Sequence, residues 1–240
     1  MHKTGCLLLL FFLVLLACST TGTKGVAMKV DRVVVGQLDV NCLIVSDGQG
    51  PDAVIIDPGD DADHIIDYIT QKGLKPVAIV LTHAHYDHVC AVGDLKKKYG
   101  VPVIMHEAEK TTYQNTKELC ISWGFSPEDF PSDYRTVKQG DKISAGRLSL
   151  EVIHTPGHTP GSMVLYGGGH VLTGDTLFER SVGRTDLPGG NTGQLMESLK
   201  KLTVLPPDTK VICGHGDDTT IGHEMKTNPY LKNGFKLKFL

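Results

Sequence analysis

Thr82-His83-Ala84-His85-Tyr86-Asp87-His88 places three histidines and one aspartate within six residues. Imidazole nitrogen and carboxylate oxygen are the ligands that divalent zinc accepts. The stretch follows a continuous apolar run, residues 77–81, of the kind buried inside a sheet. If the chain is still extended beyond that run, His83 and His85 point to the same side. Asp87 and His88 fall at the turn into the next helix and face a second position. One short stretch can therefore serve two neighbouring metals. A lone histidine is usually solvated or packed in a core; three at this spacing, with an aspartate, reverse that expectation.

Outward from this stretch, short β-type runs recur at residues 30–35, 42–45 and 53–56, with the turn-rich Ser46-Asp47-Gly48-Gln49-Gly50-Pro51 between the last two. Residues 60–72 read as a helix with acidic residues in its first turn, Ile65, Ile66 and Ile69 on one side, and Gly73 as a stop. A second helix covers 89–99 and ends at Gly100; 101–105 is a strand. Later strands are expected at 142–144, 148–153, 162–166, 170–173 and 210–213, and a helix at 193–202. Segment 111–137 breaks the rhythm. It holds the single tryptophan, Trp123, with Phe125, Pro127, Phe130 and Pro131. Such a segment borders a substrate pocket or covers a sheet edge with a helix and loop. Strands alternating with helices point to a layered α/β architecture, in one domain over 28–240.

Three more candidates share one placement. His158 follows the strand ending at Ile153, Asp175 the strand ending at Thr173, and His215 the strand ending at Cys213, each in a glycine-rich turn. Ligands gather at strand ends in α/β sheets, and glycine permits the tight turns. Locally, each of the three is balanced between a ligand and an ordinary turn residue. His154, four residues before His158, is its nearest rival. His154 and the remaining histidines are read as solvated or core residues.

Together, His83-x-His85-x-Asp87-His88, His158, Asp175 and His215 resemble the metallo-β-lactamase superfamily, over nearly the whole chain after its first residues. Ile56-Asp57-Pro58-Gly59, Thr155-Pro156-Gly157-His158-Thr159-Pro160-Gly161-Ser162, Gly183-Arg184-Thr185-Asp186 and Asn228-Pro229 extend the likeness to short, single-domain, glyoxalase II-like hydrolases. The resemblance implies a four-layer αββα sandwich. It also implies a ligand split: His83, His85 and His158 on one metal, Asp87, His88 and His215 on the other, Asp175 bridging, and Asp57 orienting a ligand. Two features depart from the family. Cys90-Ala91 stands where Gly-Gly is common, and only about twenty-five residues follow His215, which puts the helical glutathione-gripping region of longer relatives in doubt.

A hydroxide bridging two such metals is nucleophilic near neutrality, because metals lower the pKa of water from about 15.7 to about 7. It would attack a carbonyl carbon whose oxygen one metal polarises. The second metal, with Asp87 as catalytic carboxylate, would hold the nucleophile and steady the leaving group. Thiolate suits a thiophilic metal, so the expected substrate is a small-molecule thioester or related acyl compound. The expected cofactor is two divalent ions, Zn2+ first, with iron or manganese as other occupants. A persulfide dioxygenase-type oxidoreductase would use one iron on two histidines and an aspartate; the complete set argues for hydrolysis. Two-metal β-lactamases usually lack an aspartate at the Asp175 position. The open glycine turns disfavour a purely metal-binding lipoprotein.

The chain of 240 residues has a formal net charge of −3, without the clustered basic excess of a nucleic-acid binder. Its first residues form a leader. Lys3 precedes an unbroken apolar run from Leu7 to Leu16, too short for a membrane span of ~20 residues but suited to a signal h-region. Leu15-Leu16-Ala17-Cys18 resembles a bacterial lipobox. Residues 1–17 are read as a lipoprotein-type signal, Cys18 as the acylated membrane anchor, and 18–27 as a tether, placing the protein in a bacterial cell envelope. Ser19 favours the outer membrane. Of the remaining cysteines, Cys42 and Cys213 sit in apolar runs and read as buried thiols; the pairing of Cys42, Cys90, Cys120 and Cys213 is open.

Overall fold

The computed structural model describes residues 26–124 and 129–232. The leader, Cys18, Phe125 and Pro127 lie outside the described residues. In the first half the elements are β1 (Lys29–Val35), β2 (Val40–Ser46), β3 (Asp52–Ile56), α1 (Ala62–Gln71), β4 (Lys75–Val80), α2 (Val92–Tyr99), β5 (Val103–His106), α3 (Lys110–Ser122) and β6 (Tyr134–Val137). The second half has β7 (Lys142–Ala145), β8 (Leu148–His154), β9 (Met163–Gly167), β10 (His170–Gly174), β11 (Leu177–Phe178) and β12 (Ser181–Val182). It closes with α4 (Thr192–Leu202), β13 (Lys210–Cys213), β14 (Thr219–Thr220), α5 (Ile221–Thr227) and α6 (Pro229–Lys232).

The strands form two six-stranded sheets, β1-β2-β3-β4-β5-β6 and β14-β13-β10-β9-β8-β7, with β11 and β12 a separate small ribbon. Alternation along buried strands explains the layers. On β2, Cys42 and Ile44 face a core shared with Ile65 and Ile69 of α1 and Leu95 of α2. Leu43 and Val45 face the other way, into a core shared with Leu150, Val152, Leu165 and Leu172 of the second sheet. Outside that sheet, Val164, Val171 and Val211 meet Leu195 and Leu199 of α4, Ile221 of α5 and Leu231 of α6. Three apolar layers between helices, sheet, sheet and helices make the expected αββα sandwich.

Strand direction gathers the ligand candidates on one rim. β3, β4, β5 and β6 run parallel. β8 is antiparallel to β9, β9 to β10, and β10 is parallel to β13, so β8, β10 and β13 all end at the same edge. The two edges are stitched: the Met163 N–H donates to Thr82 O (2.9 Å) and the Asn41 N–H to Gly214 O (2.8 Å).

Two expectations are corrected. The helix expected from residue 89 begins at Val92, because residues 86–88 form a separate short turn of 3-10 helix. Segment 111–137 also contains β6, a four-residue edge strand with only Val137 buried, too short and too wet to show a β period. Residues 111–122 of that segment belong to α3. Among the described residues no helix is long and apolar enough to cross a membrane, and Cys42, Cys90, Cys120 and Cys213 are free thiols.

Candidate metal centre

The turn after β4 delivers His83, His85, Asp87 and His88; those after β8, β10 and β13 deliver His158, Asp175 and His215. All seven converge. Two groups have ligand atoms within 4.8 Å of one another: His83 with His85 and His158, and Asp87 with His88 and His215. Asp175 lies between them. Its Oδ2 is 3.6 Å from both His158 Nε2 and His215 Nε2, and its Oδ1 is 3.5 Å from His88 Nε2. His154 is not part of the cluster. Its ring stacks on His106 at 3.8 Å, and its Nε2 hydrogen bonds Pro160 O.

The histidines are oriented from behind. His158 Nδ1 donates to Arg184 O (2.8 Å) and His215 Nδ1 to Leu38 O (2.9 Å). His83 Nδ1 lies 3.2 Å from Thr82 Oγ1, which itself donates to Asp57, and His88 Nδ1 lies 3.1 Å from Asp57 Oδ2. His158 and His215 are hydrogen-bonded through Nδ1, and the Nδ1 atoms of His83 and His88 lie 3.2 and 3.1 Å from an oxygen, so that Nε2 faces the cluster, the usual arrangement of metal-ligating imidazoles. Asp57, His83 and His88 also have ligand atoms within 4.8 Å of one another. Asp57 lies on the Nδ1 side of both rings, so it orients them rather than sharing their inward-facing atoms. It holds a left-handed backbone (φ 50°) while accepting from the Thr82 amide. Two glycines make room: a Cβ on Gly214 would overlap Asp175 Oδ1, and one on Gly59 would overlap Asp87 O.

Two buried polar atoms test the fit to metal. His88 Nε2 and Asp175 Oδ1 are fully enclosed and have no hydrogen-bond partner. Such orphans are costly unless something else satisfies them, and a divalent ion accepted by imidazole and carboxylate would do so. The protonation pattern has the same source. Burial depresses His83 well below the usual imidazole value and takes His85 down to about 4. Burial would also depress His88, but Asp175, Asp57 and Asp87 overcome it and raise it to about 9. His215 is likewise raised, against burial, to about 10 by Asp175 and Asp87. Burial opposes charge on Asp87, yet His215 and His88 hold its carboxyl down to about 2. Metal would take the place of the protons that now balance the carboxylates.

Two supporting residues escaped the sequence reading. Glu109 is fully buried. Its Oε1 accepts from the Ala84 N–H (2.9 Å), between His83 and His85; its Oε2 accepts from Thr159 Oγ1 (2.8 Å) and the Gly161 N–H (2.7 Å), just past His158. One carboxylate thus joins the two loops that bear His83, His85 and His158. Asn41 does the same for His215, its Nδ2 donating to Cys213 O and Gly216 O. The signal for Glu109 was its place just past the end of β5, the placement that marked His158 and Asp175.

Residues 35–215 match the family described as the Metallo-beta-lactamase superfamily. The chain belongs to that superfamily. It is similar to the probable metallo-hydrolase YqgX of Bacillus subtilis, 39% identical over 216 residues, covering 88% of this chain and 100% of that protein. It is also similar to the hydroxyacylglutathione hydrolase GloC of Haemophilus influenzae, 34% identical, with 86% of this chain and 99% of that one covered. A crystal structure of TTHA1623 in a di-iron-bound form superposes with a TM-score of 0.76 at 40% identity, over 84% of this chain and 100% of that one. This superfamily chain is a metallo-hydrolase with histidine and aspartate clusters suited to divalent metal.

Proposed function

We propose that the chain hydrolyses thioesters or related acyl compounds at a dinuclear centre, in the manner of glyoxalase II-like enzymes. The supporting observation is the pair of orphaned, enclosed ligand atoms, His88 Nε2 and Asp175 Oδ1, set between two histidine groups. His83, His85 and His158 would hold one ion, Asp87, His88 and His215 the other, and Asp175 would contact both. Ions held there would supply Lewis acidity and bring the pKa of water near neutrality. Asp87 lines the cavity beside His215 and would accept the proton of the attacking water. The buried side chains behind the cluster would keep the imidazoles aimed and bulk water out. Similarity to GloC supports an acyl thioester as substrate. Zinc is the proposed occupant; the di-iron form of TTHA1623 makes iron the competing one.

The test is elemental analysis of purified protein beside a thioester panel. About two zinc-type ions per chain with thioester turnover, abolished by chelation and restored by zinc, is expected. Full turnover in metal-free protein would sink the reading. About one iron per chain without thioester turnover would favour the persulfide dioxygenase type. The leader supports a further part of the proposal: export, and membrane attachment through acylated Cys18, which radiolabelled palmitate should mark in wild type and not in Cys18→Ser.

A further inference from the structure

His85, Asp87, His158, Asp175 and His215 form the floor of a cavity of about 640 Å³. Its walls are mostly carbon, from Leu38, Tyr86, Leu119, Leu187 and Pro188. Thr111, Asn115 and Leu119, at successive i+4 positions on α3, all line it, so one face of that helix is a wall running about 12 Å at 1.5 Å per residue. One turn beyond Leu119, Trp123 packs edge-on against Tyr86 with ring centroids 5.3 Å apart.

The mouth of this cavity is unusual for a surface. Among the described residues eight large apolar side chains are exposed, and four of them, Leu38, Tyr86, Leu119 and Trp123, line the cavity or pack on a residue that does. Single exposed apolar residues are ordinary, but a contiguous group marks a binding surface. Leu38 is fixed there, since its carbonyl accepts from His215 Nδ1. Among the described residues Arg184 is the only arginine or lysine lining the cavity, and Asp186 holds its guanidinium through two 2.7 Å bonds.

We propose that the substrate carries an uncharged aliphatic chain on its scissile carbonyl, lying along Leu119, Tyr86 and Leu38 with Trp123 at its outer end. The proposal rests on the acyl-hydrolase reading above and narrows it to fatty-acyl-type substrates. It makes Leu119 a specificity-determining residue and Trp123 a reporter of occupancy.

The experiment uses metal-loaded protein and S-acyl-N-acetylcysteamine thioesters from acetyl through butanoyl, hexanoyl and octanoyl to decanoyl, so that the thiol portion stays constant and adds no charged group to the substrate. kcat/KM should rise up to about fourfold per methylene until the chain outruns the α3 wall, mostly through KM. Leu119 is exposed, so Leu119→Asp should fold; it should lower the octanoyl-to-acetyl ratio of kcat/KM by about tenfold or more. Separately, 1-octanol should change the emission of Trp123, the sole tryptophan, saturably in wild type and not in Leu119→Asp. Turnover without dependence on chain length, or no saturable response to 1-octanol, overturns the proposal. Saturable octanol binding with no turnover of any thioester upholds the apolar groove and overturns the acyl-hydrolase reading alone.

Discussion

The two sheets supply the metal centre in different ways. The first gives His83, His85, Asp87 and His88 from one continuous loop, braced by buried carboxylates, Asp57 behind His83 and His88 and Glu109 under Ala84. The second gives His158, Asp175 and His215 from three separate loops. Its histidines are aimed by main-chain carbonyls, those of Arg184 and Leu38. Side-chain carboxylates polarise a ring more strongly and can be lost to one substitution; a carbonyl survives any change of its own side chain. The first sheet's half of the site should therefore be fragile to substitution, the second's more tolerant.

The largest effect should come where the halves meet. Asp175→Asn should weaken binding of both ions by more than the ~10–100-fold typical of residues one shell out, read by chelator competition with the metal content of each state measured. Retention of both ions at wild-type affinity would contradict its intermediate position. Asp57→Asn should then cost about 10–100-fold in affinity for one ion, the one proposed for Asp87, His88 and His215, and less for the other; equal loss at both would break the distinction between a brace and a scaffold.

Glu109→Gln replaces an acceptor by an amide that must turn N–H groups toward Thr159 and Gly161 or toward Ala84. A lost buried hydrogen bond with an unmatched donor should cost about 1–3 kcal/mol, measured by urea unfolding in excess chelator. An unchanged midpoint would show that the clamp is dispensable.

Proton release tests the electrostatics across the two halves. In the metal-free protein His88 is raised to about 9 and His215 to about 10, so both are charged at neutral pH. A group raised on folding contributes stability fully below its unfolded value of about 6.5. That contribution is lost as pH rises through about 9 and then about 10. Metal binding at pH 7.5 should release about two protons from this pair, detected with a pH indicator in weak buffer, and fewer as pH approaches 10. Release that does not change with pH would contradict the raised values.

The smallest effect belongs to the second half. Arg184→Ala removes the exposed pair with Asp186 but leaves the carbonyl that aims His158. No measurable change in metal content or thermal midpoint is expected; loss of an ion would show that the side chain, not the carbonyl, does the aiming.

The same division explains what the sequence disclosed. His83 to His88 are legible because their spacing alone sets their directions. His158, Asp175 and His215 come together only because β8, β10 and β13 run the same way, a fact of topology that no local window holds; the family resemblance supplied it. His158 and His154 look alike in sequence and separate only through the turn between them, which sends one into the cluster and the other onto His106. Glu109 and its neighbour Glu107 are likewise indistinguishable in composition. One is enclosed and the other exposed because of the direction in which the chain leaves β5. In segment 111–137, α3 walls the cavity, while Phe130 packs in the core.

The seam where Met163 meets Thr82, and Glu109 spans from Ala84 to Gly161, has a thermodynamic meaning. No single sheet owns the centre, so ions can bind only when both edges are docked. Each ion bound there would act as a rivet across the sandwich, adding about 2.7 kcal/mol of folding stability when free metal exceeds its dissociation constant a hundredfold. The cell's supply of metal would set how firmly the two halves of the chain stay joined, as well as whether the site can work.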